Sequence, residues 1–287
     1  MKVLGTGLTG LIGSRVVELL GSDYTFNDYS LDTKGDITKK DDVEHFIKAS
    51  DAPWVFHFAA KTDVDACENE RDLGEKSQAW LVNADATHSV AEACRQSGKN
   101  LLYISTDYVF DGTKDEYTEE DVPNPESWYA RTKLEGERHT RSLGSSGLVL
   151  RVANPYRAFH PNRVDFVRRV LEMLKRHETV SAPSDQIFVP TFIDDIAYAI
   201  RSLVALGASG IYHGVGRSAL SPYAAAQSVA HVFGCDEELV KPAKFERYFA
   251  GRAPRPFHAH LRNDKIARLG IHMSTFDEGL GIIQKQL

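Results

Sequence analysis

The sequence predicts an α/β protein built on a doubly wound parallel sheet, with a smaller C-terminal lobe. Three observations point there. A glycine-rich turn, Gly5 to Gly13, follows the short apolar run Lys2-Val3-Leu4 and leads into the amphipathic segment Ser14 to Leu20. Apolar runs of strand length then alternate with helix-period segments as far as Val152, the pattern of parallel strands joined by helical crossovers. After Val152 the rhythm breaks at Asn154-Pro155-Tyr156. We therefore expect a dinucleotide-binding domain over 1–152, taking back parts of 187–215, and a lobe made mainly of 153–287 that caps the strand ends.

The glycine turn fits two registers, Gly5-Gly7-Gly10 and Gly7-Gly10-Gly13. In either one, glycine permits a tight turn and close backbone approach, and the helix N-terminus faces a pyrophosphate. Leu11 and Ile12 lie within the same turn. The second strand, Tyr24 to Asp28, ends in an acid fifteen residues past Gly13. A carboxylate there accepts from both ribose hydroxyls and repels a 2′-phosphate, which favours NAD over NADP. Lys34 is the nearby cation for a phosphate. Asp36-Ile37 follows in a turn, as an adenine contact or as a solvated turn acid.

A helix over Lys40 to Ser50 precedes the third strand, Pro53 to Ala60. A helix from about Glu75 to Ser97 leads to the fourth strand, Asn100 to Ser105, and another over Trp128 to Ser142 leads to the fifth, Gly147 to Val152. Beyond the break we expect helices near Arg163–His177, Asp194–Leu206 and Pro222–Phe233, a Pro-bounded loop to Pro190, and a strand over Ile211 to Val215 that rejoins the sheet.

Chemistry concentrates after the fourth strand. Tyr129 and Lys133 stand four apart, one turn from each other on one helix face. An ammonium so close favours the phenolate and is expected to pull the phenol's pKa down toward neutrality. Thr106, at the strand end, is positioned to hold a substrate oxygen, with Asp107 beside it.

Composition sets outer limits. With 34 basic and 40 acidic residues the net charge is −6 and no basic run occurs, so nucleic acid has no electrostatic footing. Three scattered cysteines, Cys67, Cys94 and Cys235, suit a reducing cytoplasm. The N-terminus enters a strand directly, without room for a signal peptide, and no apolar run is long enough to span a membrane. His258, His260 and His272 are too few and too spread to argue for a metal, and magnesium has no support in the ligand pattern.

The residues also carry a resemblance. Val55 to Glu68, with its paired Ala59-Ala60 and Thr62-Asp63-Val64-Asp65, Leu81-Val82-Asn83-Ala84, Ser105 to Gly112, Pro123-Asn124-Pro125, Gly136-Glu137, Asp185-Gln186 with Pro190-Thr191, and Arg255-Pro256 resemble the dTDP-4-dehydrorhamnose reductase family of extended short-chain dehydrogenases (SDRs). The resemblance implies a Rossmann domain holding NAD or NADP and reduction of a sugar keto group. Tyr129 would be the proton donor, Lys133 the ribose contact and Thr106 the oxygen holder. Gly7, Gly10, Gly13, Ala59, Ala60 and Lys61 would line the cofactor, and Thr62, Val64, Asp107, Asn154 and Arg255 the nucleotide sugar. Among arginines 157, 163, 168, 169 and 255, Arg255 is the strongest candidate for clamping a diphosphate.

The departures from the family pattern lie in the sugar half. Asn154 stands for a Trp, Phe188 for a Gly, His258-Ala259 for Asn-Ser, and Arg262 for a small acid or amide. Relatives of this fold include epimerases, and one group serves as regulatory subunits of the enzyme that makes S-adenosylmethionine, so both remain alternatives. By analogy the Tyr129 helix and the helix from Glu75 are dimer surfaces, which gives a homodimer as the expected assembly.

Overall fold

The structure is a computed structural model that describes residues 1–33 and 35–287; Lys34 lies outside the described residues. Among these, six strands form one parallel sheet: β1 (Lys2–Thr6), β2 (Thr25–Asp28), β3 (Trp54–His57), β4 (Asn100–Thr106), β5 (Gly147–Val152) and β6 (Gly210–His213). Their spatial order is β2-β1-β3-β4-β5-β6. Strand order reverses between β1 and β3, so a crevice opens beyond their carboxyl ends. β6 pairs with β5 from Leu148↔Gly210 to Arg151↔His213, returning the later chain to the sheet just before the expected Ile211.

Helices cover both faces, which is why β3 and β5 are buried at every residue. On one face α1 (Leu11–Leu20) and the later helix Ile193–Ala205 set Val16, Leu20, Ile193, Ile196 and Ile200 against Val3, Phe56, Leu102 and Leu150. On the other, α2 (Lys40–Lys48) and α3 (Ala86–Ser97) bring Val43, Ile47 and Val90 onto Leu4, Val55 and Leu101. α4 (Trp128–Arg141) starts where the Ser127 hydroxyl accepts the Ala130 N–H, and packs along β4 and β5.

The single helix expected from Glu75 to Ser97 is broken. A 3-10 segment covers Arg71–Lys76, Ser77 caps a fresh start by accepting from Trp80 N at 3.2 Å, and Leu81–Asp85 form a π turn before α3. That wide turn frees Asn83 to pair with the chain beyond β3. Its Oδ1 accepts from Lys61 N (2.8 Å), and its Nδ2 donates to Lys61 O (3.0 Å) and Thr132 Oγ1 (2.9 Å). Likewise the helix expected from Arg163 begins only at Phe166, because the Asp165 carboxylate caps it through Arg168 N at 3.0 Å.

The lobe has its own core, with Tyr156, Phe188, Phe192, Phe276 and Leu280 among its members. It contains elements absent from the reading above: the parallel pair Val180–Pro183 with Val240–Ala243, and the terminal helix Phe276–Gln286, whose Thr275 and Glu278 form a capping box. No helix among the described residues is long and apolar enough to cross a membrane.

Candidate active site

The glycine turn resolves to one register. Gly7 has φ +70°, and a Cβ there would lie 2.6 Å from Ala59 N. A Cβ on Gly13 would lie 2.7 Å from Gly7 O and from Leu8 Cα, and Gly10 N donates to Gly7 O at 3.1 Å. Gly5 instead sits inside β1 against the Leu8 side chain. Gly10 caps α1 with no side chain over its amides, and the first turn carries no acid. The result is a bare helix N-terminus beside a backbone cradle that side chains would fill, which suits a pyrophosphate.

Asp28 ends β2 next to this turn. Its Oδ1 accepts from Leu8 N at 3.2 Å, while the buried Oδ2 has no partner among the described residues, and burial raises its pKa. Asp36 is already engaged: its Oδ1 accepts from both Thr38 N (3.0 Å) and Thr38 Oγ1 (2.7 Å), the behaviour of a turn acid, with Ile37 buried behind it. From the lobe, Arg157 donates to Ser14 Oγ (3.0 Å) and Glu18 (3.0 Å), and His160 Nε2 lies 3.3 Å from Thr9 O. These two residues lay a strap across the glycine turn and α1.

At the end of β4, Thr106, Asp107, Tyr129 and Lys133 are all buried. Thr106 Oγ1 takes the Tyr108 N–H at 3.3 Å and lies 3.0 Å from Asp107 Oδ1; the Asp107 Oδ2 and Ser105 Oγ are buried without partners among the described residues. The expected lowering of the phenol does not occur in this state. Burial holds Tyr129 well above the ordinary phenol range, with Thr106 working against the rise and Asp107 adding to it. Lys133 is itself desolvated, which brings its ammonium down to about 7, and its Nζ donates to Ile104 O at 2.7 Å, 4.0 Å above the Tyr103 ring. Burial overrides the helical neighbour because both partners have left water. Asp107 is likewise pushed up to about 7 by burial.

Three contributors were given no role in the site by sequence reasoning, although Asn83 and Tyr108 lie in motifs that carry the resemblance. His57, fully buried, lies 2.5 Å from Thr6 Oγ1 and 2.9 Å from Thr87 Oγ1, and burial, then Lys133, lowers it to about 3. Asn83 orders Lys61 as described. Tyr108 sets its ring edge-on to Tyr129 at 6.2 Å. An apolar strand hides a His, and only the π turn gives Asn83 its reach.

On the outer side, Ala59 and Ala60 are partly buried beside the glycine turn and Thr62 is exposed, while Val64 packs with Tyr108 against the cluster holding Tyr129. Lys61 turns its ammonium onto Glu70. Arg255 pairs with Asp65 at 2.9 Å and lies over the Phe249 ring at 4.8 Å, and its charge works against the burial that raises the Tyr108 phenol. Of the other arginines, Arg168 is tied to Glu172 and His160 O, and Arg163 and Arg169 are exposed.

A family model described as the RmlD substrate binding domain matches residues 1–287. The chain belongs to the dTDP-4-dehydrorhamnose reductase (RmlD) family. It is 32% identical to a probable low-salt glycan biosynthesis reductase of Haloferax volcanii, over 99% of this chain and 97% of that protein. It is also 32% identical to a dTDP-4-keto-6-deoxy-D-glucose reductase of Streptomyces niveus, over 93% and 91%. The crystal structure of a dTDP-4-dehydrorhamnose reductase from Bacillus anthracis in complex with NADP superposes with a TM-score of 0.89 at 27% identity, covering 100% and 98%.

Within the RmlD family the departures now have physical settings. Asn154 has φ +41°, where a short amide is tolerated and a bulky ring is not favoured. Phe188 fills the lobe core with its ring edge-on to Phe166 at 5.4 Å. His258 stacks on Phe257 at 4.8 Å, and Arg262 ties Glu116 to Asp264.

Proposed function

We propose that this chain reduces the 4-keto group of a nucleotide-diphosphate 6-deoxy sugar with NADH or NADPH. The observation that carries this reading is the gathering of Tyr129, Thr106 and Lys133 at the end of β4, beside a glycine cradle shaped for a dinucleotide. The bound dinucleotide supplies the hydride. Gly7, Gly10, Leu11, Ile12 and Gly13 hold its pyrophosphate, Asp28 its adenosine ribose, Ile37 and the Asp36 oxygen not engaged by Thr38 its adenine edge, Ala59, Ala60 and Lys61 its flank, and Lys133 the nicotinamide ribose. Asp28 favours NADH. Tyr129 keeps its proton at neutral pH and releases it to the far more basic alkoxide forming at C4, while Thr106 holds that oxygen. Thr62, Val64, Asp107 and Asn154 surround the sugar, and Arg255 lies toward the diphosphate, with Phe249 beyond it for the base.

Residues 1–152 with parts of 187–215, the Ile193–Ala205 helix and β6, act as the cofactor domain and the rest of 153–287 as the substrate lobe. The enzyme works in the cytoplasm as a homodimer through α4 and the segment from Glu75. The relatives' names, two reductases of which one acts on a dTDP-linked keto sugar, and the NADP held by a structural neighbour support this reading. The test is coenzyme oxidation over a panel of nucleotide-linked keto sugars, with and without Mg²⁺. Stoichiometric oxidation of added NAD(P)H by a dTDP-linked 4-keto sugar is expected. Turnover without added coenzyme would point to an epimerase, and no turnover with any sugar would overturn the assignment.

A further inference from the structure

We propose that Asp107 is a protonated positioning residue that donates to Thr106, so that the Thr106 hydroxyl hydrogen is aimed at the substrate's carbonyl oxygen. The substrate in this statement rests on the reductase reading; the protonation rests on counting hydrogens in the structure. A threonine hydroxyl has one hydrogen and two lone pairs. One lone pair of Thr106 Oγ1 takes the Tyr108 N–H, and Asp107 Oδ1 stands 3.0 Å away on another side. If Asp107 is ionised, that contact consumes the only hydrogen, and an incoming carbonyl meets a bare lone pair. If Asp107 carries its proton on Oδ1, the bond reverses. Both lone pairs are then filled, and the hydroxyl hydrogen is free to point past Asp107 toward the space beside Tyr129.

Asp107 Oδ2 supplies the second half of the argument. It is buried and has no partner among the described residues, so an anion there gives up hydration without replacement, whereas a neutral acid gives up much less. The ionisable groups facing Asp107 are the Tyr129 phenol from α4, the Tyr108 phenol in its own turn, and behind Tyr108 the Arg255–Asp65 pair. Arg255 is already neutralised by Asp65, and Lys133 gives its proton contact to Ile104 O, so neither compensates an Asp107 anion. Burial acts in the same direction and outweighs the Thr106 hydroxyl and the Asp107 and Tyr108 amides, which favour the anion, so that the carboxyl is pushed up to about 7.

Two measurements decide the matter. Carboxyl ¹³C NMR of the substrate-free enzyme, assigned by loss of a signal in Asp107→Asn, should show this carboxyl titrating near neutrality. Titration below about pH 5, in the ordinary carboxylate range, overturns the proposal. In kinetics, Asp107→Asn keeps an N–H for Thr106 and cannot ionise. It should cost less than about tenfold in kcat at pH 6 and fall less steeply than wild type as pH rises through 7. Asp107→Leu should lose about a hundredfold, matching Thr106→Val, and the double variant should be no worse than either single one. Equal losses in the Asn and Leu variants, or additive losses in the double variant, overturn it. Failure of every sugar to turn over would remove the reductase reading, while the NMR titration would still decide the protonation state.

Discussion

Two buried ionic clusters hang from α4, one helical turn apart, and they are built on opposite principles. Around Glu137 nearly everything is paired. Arg151 donates from Nε and Nη2 to the two Glu137 oxygens at 2.8 Å each and lies 4.9 Å over the Phe110 ring, and His213 Nδ1 lies 2.9 Å from Arg262 O. Around Lys133, four residues earlier, the accounts stay open: Asp107 Oδ2 and Ser105 Oγ have no partners among the described residues, and the Tyr129 phenol, the Lys133 ammonium and the Asp107 carboxyl are all shifted toward their neutral forms by burial. The first cluster spends its charges on holding β5 and β6 to the helix. The second leaves polar groups dry and unsatisfied, an arrangement that costs stability and is useful where a ligand completes it.

The largest test of this contrast is Tyr129→Phe, which should lower kcat by about a hundredfold or more while leaving folding unchanged, as removal of a proton donor does. Retention of the wild-type rate would break the distinction. Arg151→Met addresses the other side. It strands Glu137 without a counter-charge, and denaturant unfolding should register a loss of about 3–5 kcal/mol.

Lys133→Met should do the reverse, raising Tm by about 2–4 °C at pH 6 while abolishing most activity. The sign follows from the lowered ammonium pKa. The unfolded chain binds a proton at Lys133 more readily than the native one does, so the native state is penalised fully below pH 7. The penalty fades as pH rises from 7 toward the ordinary lysine value. The gain from methionine should therefore shrink over that window, and a gain that grew with pH would contradict the assignment.

The smallest expected effect concerns the coenzyme. Asp28→Ala removes the carboxylate beside the glycine turn and should shift the NADPH-to-NADH ratio of kcat/KM by about tenfold toward NADPH, one charged hydrogen bond's worth. An unchanged ratio would place the discriminating contact elsewhere.

Local pattern made the first half of the molecule legible. Apolar runs gave β1 to β5, and the Tyr129/Lys133 spacing with Ser105-Thr106-Asp107 led to the groups that meet at the end of β4. The glycine register was not legible from local pattern, since both alternatives read alike along the chain and only the family resemblance pointed to Gly7, Gly10 and Gly13. The physical choice is made at Gly13, where a Cβ would strike the Gly7 carbonyl and the Leu8 backbone, while Gly5 lies within β1. The tuning of the phenol was misread for a related reason. A four-residue spacing reports proximity, whereas desolvation is set by everything else packed around the pair. In the lobe, Val180–Pro183 and Val240–Ala243 are four residues each and sixty apart, with a proline in both, so neither looks like a strand until the other is beside it. The π turn at Leu81–Asp85 has no local signature, and with it went the reach of Asn83.

The strap formed by Arg157 and His160 has a kinetic consequence. It joins the lobe to the cofactor domain, and for the two to part the lobe must first let go of Ser14, Glu18 and the Thr9 carbonyl. On the proposed reading, that opening is the step that limits release. Turnover by the wild type should slow in viscous solvent, and loosening the strap with Arg157→Ala should make it less sensitive.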